Sequence, residues 1–234
     1  MRRPGSGTRW GLPATSRGVH GGHPGSLNRR AEGRYRAGFV NALLALGSLL
    51  ATATCLAVLV WLHVLPTGYR PIRNAVSDYG VGRFAHLYRA QTAASAIAAL
   101  LLAGALSGGV DPTPILVVFL LLVFAAARLL IPWYPTDLDR AQPTRTGRIH
   151  VLLAGLAFGS IAWASASLPD RVDWPGVHGT LVALGWAVVV LAVGCGLCMS
   201  RALHQATEPF FGLVERLFYA AMLTWLALVA VQLL

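Results

Sequence analysis

Charged side chains are scarce in this 234-residue sequence, which is only 12% charged but 56% hydrophobic. Soluble domains are usually about one quarter charged, so these few charges cannot cover a water-facing surface of this size. The composition excludes an ordinary soluble domain and predicts a surface that mostly faces lipid. Lysine is absent, because all 19 basic residues are arginine. That bias suggests a GC-rich bacterial genome and has no mechanistic meaning.

Cysteine is also rare: Cys55, Cys195 and Cys198 all lie within apolar runs. Cys195 and Cys198 have CxxC spacing, but a structural zinc site needs four ligands and a thioredoxin-like site needs a βαβ context. We therefore interpret the cysteines as core residues and predict no metal. The histidines at segment ends lie on mixed faces, which disfavours haem, and we predict no cofactor.

The formal charge of +10 is unevenly distributed along the chain. Residues 1–38 contain eight arginines and Glu32, a net charge of +7, which leaves +3 for everything that follows. A body with so little net charge excludes a nucleic-acid partner. Residues 1–36 have few aliphatic side chains and cannot bury enough surface to offset the entropy of folding. We predict a disordered tail over residues 1–38.

Six apolar segments follow, each close to the roughly 20 residues that a helix needs to cross a hydrocarbon core about 30 Å thick. Backbone amides have no water to bind in lipid, and the runs do not alternate, so helices are predicted and a barrel is excluded. The expected fold is an all-α, polytopic six-helix bundle over residues 39–234. Its helices are predicted at 39–62, 85–107, 114–131, 149–168, 177–199 and 213–233.

The connections between these helices alternate in length. Those at 63–84 and 132–148 are long, and Pro66, Gly68 and Pro71 predict that the first is a folded loop rather than helix. Odd-numbered connections of a bundle share a face, so we expect a polar cap there and only turns on the opposite face. Gly155 and Gly159 have the spacing that lets helices pack closely in lipid, which favours ordinary packing within the bundle over a dedicated dimer seam.

Four ionisable residues lie within helix ends that open on this cap: Arg128, His150, Glu215 and Arg216. A charge inside a membrane segment is costly and usually has a partner or a function. An arginine one turn from the interface can instead extend to water. For Arg128, snorkelling, a salt bridge and ligand binding therefore stay open. Glu215 and Arg216 are interpreted as interfacial anchors, and Arg216 is kept as a binding candidate.

The cap also contains residues suited to acid–base chemistry. Asp78, within Ser77–Gly80, could bind nearby amides and form a turn, pair with Arg128 at similar depth, or transfer protons. Asp137 has the same alternatives, and Thr144 is a predicted N-cap on the face of His150. Candidate catalytic residues are Asp78, Asp137 and His150. Candidate binding residues are Tyr69, Ser77, Asp78, Arg128, Asp137, His150 and Arg216.

Four of these motifs resemble those of the bacterial membrane family called domain of unknown function 998. They are Pro66–Pro71, Ser77–Gly80, Pro135–Asp137 and Gly147–His150, and the resemblance spans roughly residues 40–233. Ser77-Asp78-x-Gly80 is more distantly similar to a first-loop motif of the six-helix DRAM and Sfk-like membrane proteins. The resemblance implies a six-helix membrane fold and supplies no established activity.

Two functions therefore stay open. The first is non-catalytic binding of lipid headgroups or of an envelope protein partner by the cap, since arginines suit phosphates. The second is an outer-leaflet lipid- or glycan-modifying enzyme. We expect a multi-pass protein of the bacterial plasma membrane with a cytoplasmic N-terminus. Exporting a net charge of +7 against about 100 mV would cost on the order of 16 kcal/mol.

Overall fold

The computed structural model describes residues 24–138, 142, 144–203 and 209–234, and the side chains of these except residues 24–36, 202 and 203. The described part is helical and contains no strand, which confirms the all-α prediction. Its long helices are α1 (Pro24–Val64), α2 (Ala85–Gly109), α3 (Ile115–Leu130), α4 (Arg145–Ser167), α5 (His178–Leu203) and α6 (Phe211–Val231). Short 3-10 turns cover Val76–Gly80, Ile131–Trp133 and Pro169–Arg171.

Among the described residues, six helices are long and apolar enough to cross a membrane, as predicted for a multi-pass membrane protein. The spans are Ala37–Val64, Ala85–Gly109, Ile115–Trp133, Arg145–Ser167, His178–Arg201 and Phe211–Val231.

The first helix begins earlier than predicted. The chain divides into two compact units, Met1–Tyr35 and Arg36–Leu234. In the first unit, residues 24–35 are helical, although we predicted disorder for all of residues 1–38; residues 1–23 lie outside the described part. Proline suits the first position of a helix, and the Leu, Ala, Arg and Glu residues after Pro24 favour helix. Extending an existing helix adds one hydrogen bond for each residue fixed, without a new nucleus.

The fourth helix also begins earlier, at Arg145 rather than residue 149. Thr144 Oγ1 accepts a hydrogen bond from Gly147 N at 3.1 Å, so Thr144 is the N-cap, as predicted. The cap satisfies an amide that would otherwise lack a partner, and it lets the helix start in the polar connection. Gly147 and His150 are buried on the same face of α4.

Helices α2 to α6 form a ring in chain order. Each packs against its successor, and α6 also contacts α2. The first helix lies against α2, where Ser48 Oγ donates to Ala98 O at 2.8 Å. Trp225 and Phe218 of α6 and Phe124 of α3 are among the largest fully buried side chains.

The long connections meet on one face, as predicted, and the start of α6 joins the first of them. Leu213 N donates to Ile72 O at 3.0 Å. A side chain at Gly212 would collide with the carbonyl oxygens of Pro71 and Asn74, so only glycine permits this approach. We call this face the cap side, and the face formed by the connections near 110–114 and 168–177 the far side.

Candidate functional site

A cavity of about 480 Å³ lies on the cap side, between α4 and α5. Its long walls are two facing helical stripes whose members recur three or four residues apart, as one face of each helix requires. The α4 stripe includes Ala154, Gly155, Phe158, Gly159 and Ala162. The α5 stripe includes Val189, Ala192, Val193, Gly196 and Met199. These walls are apolar and consist largely of small residues.

The cap end of the cavity is polar. It is lined by side chains from the 3-10 turn, α2, α3, α4 and α6, namely Ser77, Tyr88, Arg128, His150, Glu215 and Tyr219. Two of them carry opposite charges and are almost completely buried: Arg128 is 1% exposed and Glu215 is 4% exposed. The cavity therefore joins an apolar channel to an ionisable, hydrogen-bonding end.

Arg128 is fixed from three directions. Its Nε donates to Ser95 Oγ at 2.9 Å, Nη1 donates to Tyr219 OH at 2.9 Å, and Nη2 donates to Gln91 Oε1 at 2.8 Å. Its guanidinium carbon also lies 5.4 Å from the centroid of the Tyr219 ring. Arg128 therefore does not extend to water, and these bonds hold its guanidinium. The sequence hypothesis of an Asp78–Arg128 ion pair stays a prediction.

Glu215 and Arg216 tie the first loop to α6. Glu215 Oε2 accepts from Val76 N of the 3-10 turn at 2.7 Å. Arg216 Nη1 donates to Asn74 O at 2.7 Å, and its Nε lies 2.5 Å from His63 Nε2. Glu215 is buried, so its interpretation as an interfacial anchor is wrong. Arg216 is partly exposed, and its interpretation as an anchor stays a prediction. Both residues hold the 3-10 turn over the polar end of the cavity.

His150 is held in one orientation at the cavity wall. It is 2% exposed, and its Nδ1 lies 2.7 Å from Tyr134 O. A carbonyl oxygen only accepts, so Nδ1 carries the proton in this contact. The fixed backbone of the second long connection thereby sets the ring at the polar end.

The two candidate acidic residues, Asp78 and Asp137, accept hydrogen bonds from donors in the loops. Asp78 Oδ2 accepts from Ala75 N at 3.0 Å and from Asn74 Nδ2 at 3.2 Å. Asp137 accepts from Thr144 N at 2.8 Å and from Thr144 Oγ1 at 2.9 Å, which joins the second long connection to the cap of α4. Carboxylates bound to loop amides are the arrangement expected of turn-forming residues.

Tyr69 lies beside the 3-10 turn and outside the cavity wall. Its hydroxyl donates to Val81 O at 3.3 Å, and its ring meets Tyr79 edge to face with centroids 5.6 Å apart. Burial, and then the Asp78 carboxylate, raise the pKa of the Tyr69 phenol above its usual range. The phenol is therefore a neutral donor at neutral pH.

The side of the cavity is open along α4 and α5. Gly155, Gly159 and Gly196 line it and are themselves exposed, and a Cβ at any of them would meet nothing within 4 Å. The expected close packing at Gly155 and Gly159 is therefore wrong. Because these residues lie within spans that cross the membrane by length and composition, the opening faces the lipid.

Close packing of α4 and α5 occurs instead on the far side. There a Cβ at Gly185 would come within 2.6 Å of Ser165 O. The two helices thus touch backbone to backbone near Ser165 and leave the cavity between them toward the cap.

Three of the candidate binding residues come together in the cavity wall: Ser77, Arg128 and His150. Tyr69, Asp78, Asp137 and Arg216 lie around it. Sequence reasoning missed Tyr88, Tyr219 and the role of Glu215. Glu215 had a signal, since an ionisable residue within a membrane segment marks a functional site by default. Within the residues that the structure describes, no group of three His, Cys, Asp or Glu could hold a metal ion.

Comparison with known proteins identifies one family. The family described as Protein of unknown function (DUF998) matches residues 49–232. No curated protein and no solved structure matches the chain. The more distant similarity to DRAM and Sfk-like proteins is not shown by these comparisons and stays a prediction.

Proposed function

Since the chain belongs to the DUF998 family, whose description names no reaction, we propose a function from the cavity: non-catalytic binding of a membrane lipid. The acyl chain lies between α4 and α5, and the headgroup lies at the polar end beneath the cap. One observation carries this proposal. The polar side chains are confined to one end of a cavity whose other walls are apolar and open toward lipid.

The length of the cavity suits a lipid of one leaflet. Its α4 wall runs from His150 to Ala162, which is about 18 Å at about 1.5 Å per residue. The hydrocarbon core of a bilayer is about 30 Å thick, so one leaflet contributes about 15 Å. A chain entering from the cap would therefore reach about the middle of the membrane.

The volume of the cavity suits a lipid chain. At about 480 Å³ it lies within the range of small-molecule pockets, roughly 300–1,000 Å³. This supports a lipid as the occupant, and a helix of an envelope protein is the alternative outcome of the test below.

The arrangement of the acidic residues supports binding over catalysis. The alternative enzyme requires Asp78, Asp137 and His150 to converge on one reacting group. Of these, His150 lines the cavity, while Asp78 and Asp137 accept hydrogen bonds from loop donors.

Lipid binding can be tested with a substitution that fills the channel. Wild type, Gly155→Leu and Gly179→Leu would be extracted as full-length proteins in mild detergent. Native mass spectrometry would then measure the lipid that each protein retains. Gly179 is the matched control, because it is exposed, has open space around its Cβ position and lies outside the cavity. We expect Gly155→Leu to reduce retained lipid at least about tenfold, the loss from 1.4 kcal/mol, while Gly179→Leu matches wild type.

Equal lipid retention by all three proteins would contradict the proposal. Loss of a co-purifying protein, rather than of lipid, in Gly155→Leu would instead favour the envelope partner.

We further propose that the protein resides in a bacterial plasma membrane with a cytoplasmic N-terminus and the cap side facing outward. The net charge of +7 on residues 1–38 supports this orientation. An even number of crossings keeps both ends of the chain on one side. Alkaline phosphatase fused after Leu234 should therefore be inactive, and an active fusion would reverse the orientation.

A further inference from the structure

We infer that the polar end of the cavity selects a zwitterionic phospholipid whose headgroup carries a primary ammonium. This inference rests on the proposed lipid-binding function and adds the class of lipid. It follows from the sign, position and hydrogen-bonding capacity of two buried charges that face the same cavity.

The charges at this end balance one another. Arg128 and Glu215 line the cavity with opposite charges, and both are more than nine-tenths buried. Asp78 and Arg216, the chain neighbours of the lining residues Ser77 and Glu215, are a second acid and a second base. A ligand with a net charge would add an uncompensated charge to a region of low dielectric, which is costly. A ligand with one charge of each sign keeps the balance.

The two charges also lie in the order of a phospholipid headgroup. Glu215 contacts the backbone of the cap through Val76 N, whereas Arg128 donates to Tyr219, one turn further along α6 and away from the cap. One turn corresponds to about 5.4 Å. From the acyl chain outward, a bound lipid would present its phosphate to Arg128 and its amine to Glu215.

The hydrogen-bonding groups fit the same assignment. Around Arg128, the wall carries the hydroxyls of Ser77, Tyr88 and Tyr219, which can donate to phosphate oxygens. Glu215 is the carboxylate among these lining residues, and a carboxylate accepts hydrogen bonds, as Glu215 does from Val76 N. A primary ammonium has three N–H donors for such a carboxylate, whereas a choline headgroup has none.

The test is the ranking of three phospholipids with identical acyl chains. Delipidated full-length protein in detergent would be titrated with ethanolamine, choline and glycerol phospholipids, and the bound fraction measured by native mass spectrometry. We expect the ethanolamine lipid to bind at least about tenfold more tightly than either of the others, since the choline headgroup has no N–H donor and the glycerol lipid has a net negative charge. In Glu215→Gln the advantage over the choline lipid should fall to less than about threefold.

The Gln variant keeps an acceptor for Val76 N, and the wild-type ranking decides the matter even if that variant does not accumulate. Equal binding of the three lipids, or preference for the glycerol lipid, would overturn the inference. If those lipids bind equally but Gly155→Leu loses all of them, lipid binding stands and headgroup selection fails. If the wild type binds none of the three, both fail.

Discussion

The cap side and the far side of the bundle differ in whether they bury charged side chains. On the cap side, Asp78, Arg128 and Glu215 are buried and hydrogen-bonded: Asp78 within its own loop, Arg128 to α2 and Glu215 to the 3-10 turn. On the far side, the charged residues that the structure describes are exposed in the short connections: Asp111, Asp170, Arg171 and Asp173. A buried charge needs partners. Asp78 and Glu215 find them in the first long connection, and Arg128 finds them on α2 and α6.

The α4–α5 pair shows the same difference in its packing. Gly185 lets the helices touch on the far side, whereas Gly155 lines open space toward the cap. A glycine thus marks a close helix contact only where another backbone arrives opposite it. The cavity occurs where the helices separate and the buried charges gather.

The largest expected effect comes from removing the arginine that organises the cap side. Arg128→Gln shortens the side chain, so it cannot reach Ser95, Tyr219 and Gln91 together. Buried partners left without a bond cost about 1–3 kcal/mol each, so we expect a loss of roughly 3–5 kcal/mol and depletion from the membrane. Membrane levels and thermal unfolding in detergent would measure it. Arg171→Gln, on the exposed far side, is the control and should change neither.

The next effect tests the far side. In Gly185→Ala the new methyl group would lie within 2.6 Å of Ser165 O, a backbone atom that cannot rotate away. We expect a loss of about 1–3 kcal/mol, as for overpacked cores, and a lower unfolding temperature. Gly155→Ala, which adds the same methyl group to open space, should leave that temperature unchanged. Equal effects of the two substitutions would remove the distinction between the two ends of the helix pair.

A smaller effect is expected at the buried acid of the first loop. Asp78→Asn keeps an acceptor oxygen for Ala75 N and Asn74 Nδ2, so the loss should be about 1–2 kcal/mol. Asp173→Asn, in an exposed far-side connection, should have no effect. Adding Arg128→Gln to Asp78→Asn should not restore stability. Rescue in that double variant would show that the two residues pair after all.

The smallest loss of stability is expected at an exposed polar contact of the cap side, in contrast to the buried contacts of Arg128. Thr144→Ala removes the N-cap of α4 and one bond to Asp137, and both lie at an exposed edge where water can replace them. The expected loss is about 1 kcal/mol by denaturant titration. Thr146→Ala, at the second residue of the helix, is the matched control and should lose less. A loss as large as that of Arg128→Gln would contradict the difference.

The fold could be predicted from the sequence because a backbone in lipid must satisfy its own hydrogen bonds. Apolar runs long enough to cross a membrane must be helices, and the alternation of long and short connections placed the cap on one face. The start of α4 was less accurate, although Thr144 was identified as its N-cap. The start of α1 at Pro24 was missed, because composition alone does not show how far a helix extends beyond its membrane segment.

The site was only partly readable. Ser77, Arg128 and His150 were recognised as polar groups in costly positions, and they do line one cavity. The hydrogen-bond partners of Arg128 were not predictable from the sequence. Tyr219 and Gln91 lie on other helices, and only the packing of the helices places them beside Arg128. The cavity itself had no signal, since the same spacing of Gly155 and Gly159 also predicts close packing.

The most direct test of the account locates the lipid chain. A phospholipid with a photoreactive diazirine midway along one acyl chain would be crosslinked to full-length protein in nanodiscs, and the labelled peptides identified by mass spectrometry. The account predicts labelling concentrated on residues 154–162 of α4 and 189–199 of α5, and lost in Gly155→Leu. Labelling spread evenly over the lipid-exposed faces of all six helices, unchanged in Gly155→Leu, would contradict it.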